Sequence, residues 1–342
     1  MIPEQALLHL PEILTGSGYP EQHYESGIVS AFSLALLQAL NGRNVPNPIS
    51  CLQTEKPFRG RAGWPRPAPE TPRFLRADLN VRLHQMKAGS KRLAAYGWRH
   101  DNWIESKFFR GAAPNKQVNT GSLLADLLRL LALVPSYRAR KSPDHETTGR
   151  YLLHVYEGLD PSPYHQMKKQ TGGSSEIRKW LAPLLTTGRN QCESILLSEY
   201  EAGGILGEIN AHLGELQIEF DATTFQVEPT VDLGADYTQY TCVLSRIDAF
   251  KLTRGQVSLQ VCADRSVIET PSKDHVTAEI REHVGRWIST KASGVEAKQP
   301  DEDEAEDEEA SEDQAPAEAV AEAASSETPA PPKELNTNPD DV

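Results

Sequence analysis

Residues 73–84, RFLRADLNVRLH, alternate without a slip. Leu75, Ala77, Leu79, Val81 and Leu83 fall on one side of an extended chain; Arg76, Asp78, Asn80, Arg82 and His84 fall on the other. Successive side chains of a strand point to opposite faces, so this pattern demands a sheet with one buried face. The same spacing wound into a helix would leave no continuous apolar stripe. The second face of this strand is unusually polar, and an acid sits among its bases.

The neighbouring segments read as alternating helices and strands. Residues 22–40 carry a helical stripe of Ile28, Val29, Phe32, Leu36, Ala39 and Leu40. Residues 41–72, rich in Pro, Gly and Arg, read as a long irregular connection, and such loops are often functional. Residues 102–109 read as a second strand. Residues 119–134 read as a helix capped by Asn119 or Thr120, its apolar run interrupted by Asp126 and Arg129. Residues 150–157 are mostly apolar and read as an interior strand. Helix, loop, strand, strand, helix and strand in this order predict an α/β sandwich.

Beyond residue 175 the pattern changes. SEIRKWLAPLL and CESILLSEYEAGGILGEINAHL read as helical, with Gly203 and Gly204 breaking the second. Strands are expected at 215–220, 224–229, 240–247 and 256–263, with a tight turn in LTRGQ, and a last helix at 272–289 capped by Ser272. This gives a C-terminal α+β region. The expected division is 1–172, 173–292, and a disordered acidic tail at 293–342.

The tail decides how the net charge of −13 is read. Residues 301–342 hold sixteen acids against Lys333 alone, with hardly a large apolar side chain. Such a segment cannot bury enough to offset its ordering entropy. Residues 1–300 are left with 34 bases and 32 acids, and residues 54–116 alone hold fourteen Lys or Arg against five Asp or Glu. A basic region around a few acids suits a polyanionic ligand, and equally a solvated charged surface. The acidic run 301–313 reads as a solubilising segment, or as a nucleic-acid mimic lying over that basic face in cis. No apolar stretch approaches the length of a membrane helix and no secretory pattern opens the chain, so no membrane partner is expected. Cys51, Cys192, Cys242 and Cys262 are widely spaced, which argues against a disulfide framework and for a cytoplasmic setting.

The chemistry concentrates in NWIESKFFR, residues 102–110. On a strand, Trp103, Glu105, Lys107 and Phe109 share a face. If this strand pairs antiparallel with 73–84, Asp78 joins Glu105 and Lys107. Glu25, one turn before Ile28 and Val29 on the core stripe of the first helix, faces the sheet and needs a partner. Carboxylate oxygens at one spot suit Mg²⁺ or Mn²⁺, which polarises a phosphoryl oxygen and acidifies bound water. A lysine beside them neutralises developing charge or orients the attacking water, and desolvation would make it a better proton acceptor. Arg76, Arg82 and Arg110 are placed to hold phosphates.

These residues resemble the PD-(D/E)xK nuclease core. In that superfamily a restriction-endonuclease-like α-β-β-β-α-β fold carries an Asp and then (D/E)-x-Lys; here Asp78 precedes Glu105-Ser106-Lys107 by 27 positions. The resemblance covers roughly residues 20–160. It implies that Asp78 and Glu105 are metal ligands, Lys107 catalytic, and Glu25 the helical acid found in many members. Ala77 stands where the family's motif has Pro, and the first core strand is expected within the Pro-rich stretch. The triplet alone says little, since Glu296-Ala297-Lys298 has the same form; the strand period, the upstream acid and the element order carry the likeness.

The resemblance implies a Mg²⁺-dependent phosphodiesterase acting on DNA, or on RNA, in restriction, phage defence or a mobile element. Cutting both strands of a duplex needs two sites, which suits a homodimer. The rival reading is a binding protein on the same fold with a lapsed site. Asp101 is an alternative to Asp78. Lys116, Gln117 and Asn119 can touch a phosphate backbone or simply open a helix. His84 and His100 read as satisfied or exposed rather than ligating, and Trp64, Trp98 and Trp103 as core rather than base-stacking. Arg138, Arg140 and Lys141 form a basic turn.

Overall fold

Part of the 73–84 alternation lies in a strand, Arg76–Arg82, inside a nine-stranded mixed sheet; Leu79, Val81 and Leu83 enter one core, but Ala77 enters the core on the other face. The computed structural model describes residues 2–16, 25–57, 76–83, 101–111, 115–134, 148–165, 180–196, 215–228, 238–263 and 266–270. All of them belong to one compact unit, Met1–Val295; Glu296–Val342 is a second. The expected tail, the helix at 272–289, His84, His100, Trp64, Trp98 and the basic turn at 138–141 lie outside the described residues.

In chain order the elements are α1 (Ile2–Gly16), α2 (Glu25–Gly42), β1 (Leu52–Pro57), β2 (Arg76–Arg82), β3 (Asp101–Phe109), α3 (Lys116–Ala132) and β4 (Thr148–Glu157). Then come α4 (Ala182–Leu185), β5 (Gly188–Leu196), β6 (Gln217–Val227), β7 (Tyr240–Arg254), β8 (Val257–Val261) and β9 (Val267–Thr270). The sheet order is β1-β2-β3-β4-β7-β6-β5, with β8 on β7 and β9 on β8. Every neighbouring pair is antiparallel except β3 and β4. A parallel pair needs a crossover, and α3 supplies it.

The sheet is covered on both faces. Trp103, Phe109, Leu152, Tyr156, Val243 and Ile247 pack on one side with the apolar stripe of α3. Ile104, Tyr151, Leu153, Val155, Cys242 and Leu244 pack on the other with α1 and α2. Neighbouring residues of β3, β4 and β7 thus serve opposite cores, as the two-residue period requires. The molecule is a mixed α/β structure with a mostly sheet core.

Several expectations are corrected. Residues 192–196, read as helical, belong to strand β5, where pairing with β6 outweighs local helical preference. The two strands expected at 215–220 and 224–229 are one, β6, which absorbs a register shift between Asp221 and Ala222. β7 runs to Arg254 rather than 247, and the LTRGQ turn follows at Gly255, with φ +58°. The cap of α3 is Asn115, whose side chain accepts from the Val118 N–H at 3.2 Å, so Asn119 and Thr120 lie inside the helix. A strand, β1, lies near the start of the Pro-rich stretch at Leu52–Pro57. The described residues of 1–172 and of 173–292 share one sheet, because β4 pairs with β7.

A buried polar chain crosses the α3 side of the sheet. Thr120 Oγ1 meets His165 Nδ1 at 3.5 Å, His165 Nε2 meets the Tyr156 hydroxyl at 2.7 Å, and that hydroxyl meets His154 Nδ1 at 2.8 Å. His154 Nε2 reaches Ser245 Oγ at 3.4 Å, and Ser245 donates to the Leu184 carbonyl. Burial lowers both imidazoles to about 3. The unfolded chain therefore takes up protons there first, and stability falls as pH drops from about 6.5 toward 3. Tyr156→Phe leaves both histidines short of a partner and is expected to cost about 1–3 kcal/mol in urea unfolding. An unchanged midpoint would show that the chain contributes nothing.

Candidate functional site

The ladder between β2 and β3 stops where the charges begin. Paired positions run only from Arg82↔Asp101 to Leu79↔Ile104. Beyond them Arg76 and Ala77 remain paired with β1. The Ser106 N–H donates to the Asp78 carboxylate at 2.6 Å instead of to a backbone carbonyl. At this level the Asp78 side chain, not the β2 backbone, meets β3. β1 is irregular at the same level. Glu55, between the pairs Thr54↔Leu79 and Lys56↔Ala77, has φ +50°, a conformation costing on the order of 1 kcal/mol or more in a non-glycine residue.

Glu105 and Lys107 share the face of β3 that looks toward α3, as their spacing requires. Glu105 is almost fully buried, 1% exposed. Its Oε2 meets Arg129 Nη1 at 3.2 Å. Arg129 Nη2 meets Asp126 Oδ1 at 2.6 Å one turn back on α3, so the guanidinium bridges two acids. Lys107 Nζ lies 2.9 Å from Glu25 Oε1, at the start of α2, and 3.4 Å from Asp126 Oδ2. Four carboxylates and two cations thus meet at one end of the sheet.

The imbalance shows in their proton affinities. Burial, with the neighbouring Asp126 and Glu25 charges, pushes Asp78 up to about 7 against the pull of the Ser106 N–H and Arg129. Burial also raises Glu105 well above the carboxylate range; Arg129 opposes this, while Asp78 and Asp126 reinforce it. Burial alone would lower Lys107, but Asp126 and Glu25 outweigh it and hold the ammonium above the usual lysine range. Arg129 is held up in the same way by Glu105 and Asp126. Desolvation therefore does not make Lys107 a proton acceptor here, contrary to expectation: it is a fixed cation that can neutralise charge or orient water.

The structure brings Glu25, Asp78, Glu105 and Lys107 together. Arg82 lies at the far end of β2, paired with Asp101, roughly 13 Å along the strand from Asp78 at ordinary rise per residue. Asp101 sits at that same end and accepts from Asn80 Nδ2 at 2.7 Å, so it does not replace Asp78. Arg110 is exposed just beyond β3. Lys116 is exposed and Asn119 half-buried in the first turn of α3, not before it. Arg76 opens β2, two positions from Asp78. Trp103 packs in the core. Asp126 and Arg129 are site residues that sequence reasoning missed. Their signal was two opposite charges three apart inside an otherwise apolar helix.

No protein family, curated protein or solved structure was found to match the chain. Among the described residues, no group of three or more His, Cys, Asp or Glu side chains is arranged to hold a metal ion. The acids outnumber the cations four to two, and Asp126 Oδ2, buried and 3.4 Å from Lys107 Nζ, makes no hydrogen bond. Among the described residues no helix is long and apolar enough to cross a membrane.

The raised Asp78 makes a test of this crowding. The folded chain keeps a proton there that the unfolded chain releases above about pH 4, so stability falls as pH rises toward about 7. Asp78→Asn still accepts from Ser106 and loses the charge. It is expected to raise the unfolding free energy at about pH 8 by on the order of 1–3 kcal/mol, with little gain at about pH 4. A destabilised variant at about pH 8 would mean that Asp78 is not crowded by like charge.

Proposed function

We propose that the protein is a metal-dependent phosphodiesterase of the PD-(D/E)xK kind, acting on DNA as an endonuclease. The observation that carries the reading is the convergence of Glu25, Asp78, Glu105 and Lys107 from one helix and two strands, where β2 and β3 part. The run α2-β1-β2-β3-α3-β4 has the order that the resemblance implies, which supports it further.

In this reading Asp78 and Glu105, with Glu25 or Asp126 beside them, hold Mg²⁺ or Mn²⁺. The bound cation supplies Lewis acidity and a more acidic water. Lys107, kept charged by its acid neighbours, stabilises negative charge developing on the phosphoryl oxygens. Arg110 and Lys116, exposed at the end of β3 and the start of α3, offer phosphate contacts. RNA as substrate and a homodimer as the cutting unit belong to the same proposal, as does a cis contact of the acidic tail with the basic face.

One observation favours a second reading, a nucleic-acid- or protein-binding module without catalysis. Lys107 and Arg129 already make ion pairs with three of the four acids. Plasmid cleavage separates the two. With Mg²⁺ or Mn²⁺ the full chain is expected to nick or linearise DNA. Lys107→Ala, checked for folding by circular dichroism, should lower the rate at least about 100-fold, a loss of roughly 2.7 kcal/mol or more in transition-state stabilisation. Activity should rise with pH as the crowded acids ionise to take the cation. Salt-sensitive DNA binding with no cleavage, unaffected by Mg²⁺, would favour the binding module.

A further inference from the structure

Strand β2 turns over at Asp78. Residues two apart on a regular strand share a face. Leu79 and Val81 enter the core that α1 and α2 cover, yet Ala77 enters the core on the α3 side. Asp78 belongs to neither ladder: the β1 register steps from Leu79 to Ala77, and the β3 register ends at Leu79. Its carboxylate reaches across to β3 instead, accepting from the Ser106 N–H at 2.6 Å. β1 nevertheless stays paired on both sides of the turn, Thr54 with Leu79 and Lys56 with Ala77, one residue for one. A neighbour that keeps its register past a reversal must reverse with it. Glu55, opposite Asp78, does so, with φ +50°. The other two described non-glycine residues with positive φ are Asn44 and Asn47, a residue type enriched in that region; glutamate is not. The Glu55 side chain is exposed, so no core packing demands the conformation.

We propose that Glu55 is a positioning residue whose left-handed backbone carries β1 through the reversal and so aims the Asp78 carboxylate at the Ser106 N–H. The role belongs to the backbone at Glu55, not to its charge. Without the reversal in β1, β2 would either lose its outer ladder or run on as a regular strand. A regular strand would turn Asp78 toward one face of the sheet rather than toward β3. Local irregularities at sheet edges re-aim side chains in this way beside functional sites. The importance of Asp78 for catalysis rests on the nuclease reading above; its placement by Glu55 does not.

The test reads the Ser106 amide by nuclear magnetic resonance on the full chain with isotope-labelled serine, no metal or DNA being added. A short bond to a carboxylate moves an amide proton downfield and slows its exchange. Glu55→Gly accepts positive φ freely, Glu55→Gln removes the charge with little change of backbone preference, and Glu55→Val, β-branched, opposes positive φ. Glu55→Gly and Glu55→Gln are expected to keep the downfield Ser106 proton. Glu55→Val is expected to lose it, with exchange at least about tenfold faster. Should Glu55→Val fail to fold, Glu55→Gly is compared with Glu55→Ala. Glu55→Gly is expected to unfold at the higher urea concentration, the reverse of the usual order within a strand. A Ser106 amide alike in every variant, one displaced by Glu55→Gln or Glu55→Gly, or the usual order of Gly and Ala overturns the proposal. In plasmid cleavage Glu55→Val should be at least about tenfold slower than Glu55→Gly. If Ser106 follows the expected series and the native chain cuts no DNA, the positioning stands and the nuclease reading falls. If the native chain cuts and Ser106 is alike in every variant, the positioning falls and the nuclease reading stands.

Discussion

Glu105 sits on a strand paired on both edges and covered on both faces, and its charge must be met there. Removing the partner of a buried ion costs about 3–5 kcal/mol, a large share of the stability of an ordinary domain. The placement of α3 follows from this. The helix has to present Arg129 at the level of Glu105, and Arg129 in turn needs Asp126 on its other side. Asp126 then reaches Lys107, and Lys107 reaches Glu25 on α2. One buried carboxylate thus links the layers on the two sides of the sheet through a chain of alternating charge.

The elements around this chain were legible wherever the residue period was clean. β2, β3, β4, α2 and α3 all lie close to their expected positions because one face of each is packed and the sequence repeats accordingly. Glu25, Asp78, Glu105 and Lys107 were legible for the same reason: face assignment follows from the period. α1 was not recognised as a helix, although Ile2, Ala6, Leu7, Leu10 and Leu14 form a stripe, and Pro11 lies inside it. It is held by partners remote in sequence, among them Arg246 on β7, 2.9 Å from Glu4. β5 was misread because its helical look is local while its pairing with β6 is not. Asp126 and Arg129 were passed over as interruptions of an apolar run, since their meaning depends on which helix face meets the sheet.

The polar chain through Tyr156 and the charged chain through Arg129 lie side by side. β3 and β4 are in register, so Lys107 is opposite His154, and Phe109, two residues on, is opposite Tyr156. Phe109 stacks on Tyr156 at 5.0 Å between ring centroids and meets the His165 ring edge-on at 4.9 Å. The site is therefore backed by neutral hydrogen-bonded groups rather than by a uniformly apolar core. Such groups fix rotamers without adding charge to a crowded electrostatic neighbourhood.

The join between β4 and β7 ties the fate of the two halves of the chain. Seven positions are paired from Tyr151↔Arg246 to Glu157↔Tyr240. Cut away from β7, a fragment ending near residue 172 would present β4 as a long hydrophobic edge with a row of unsatisfied amides and carbonyls. An edge of that kind recruits strands from other molecules. The acids and bases of β3 are thus protected from aggregation by residues more than eighty positions downstream of β4, and the C-terminal half serves as guardian of the N-terminal half as well as its neighbour.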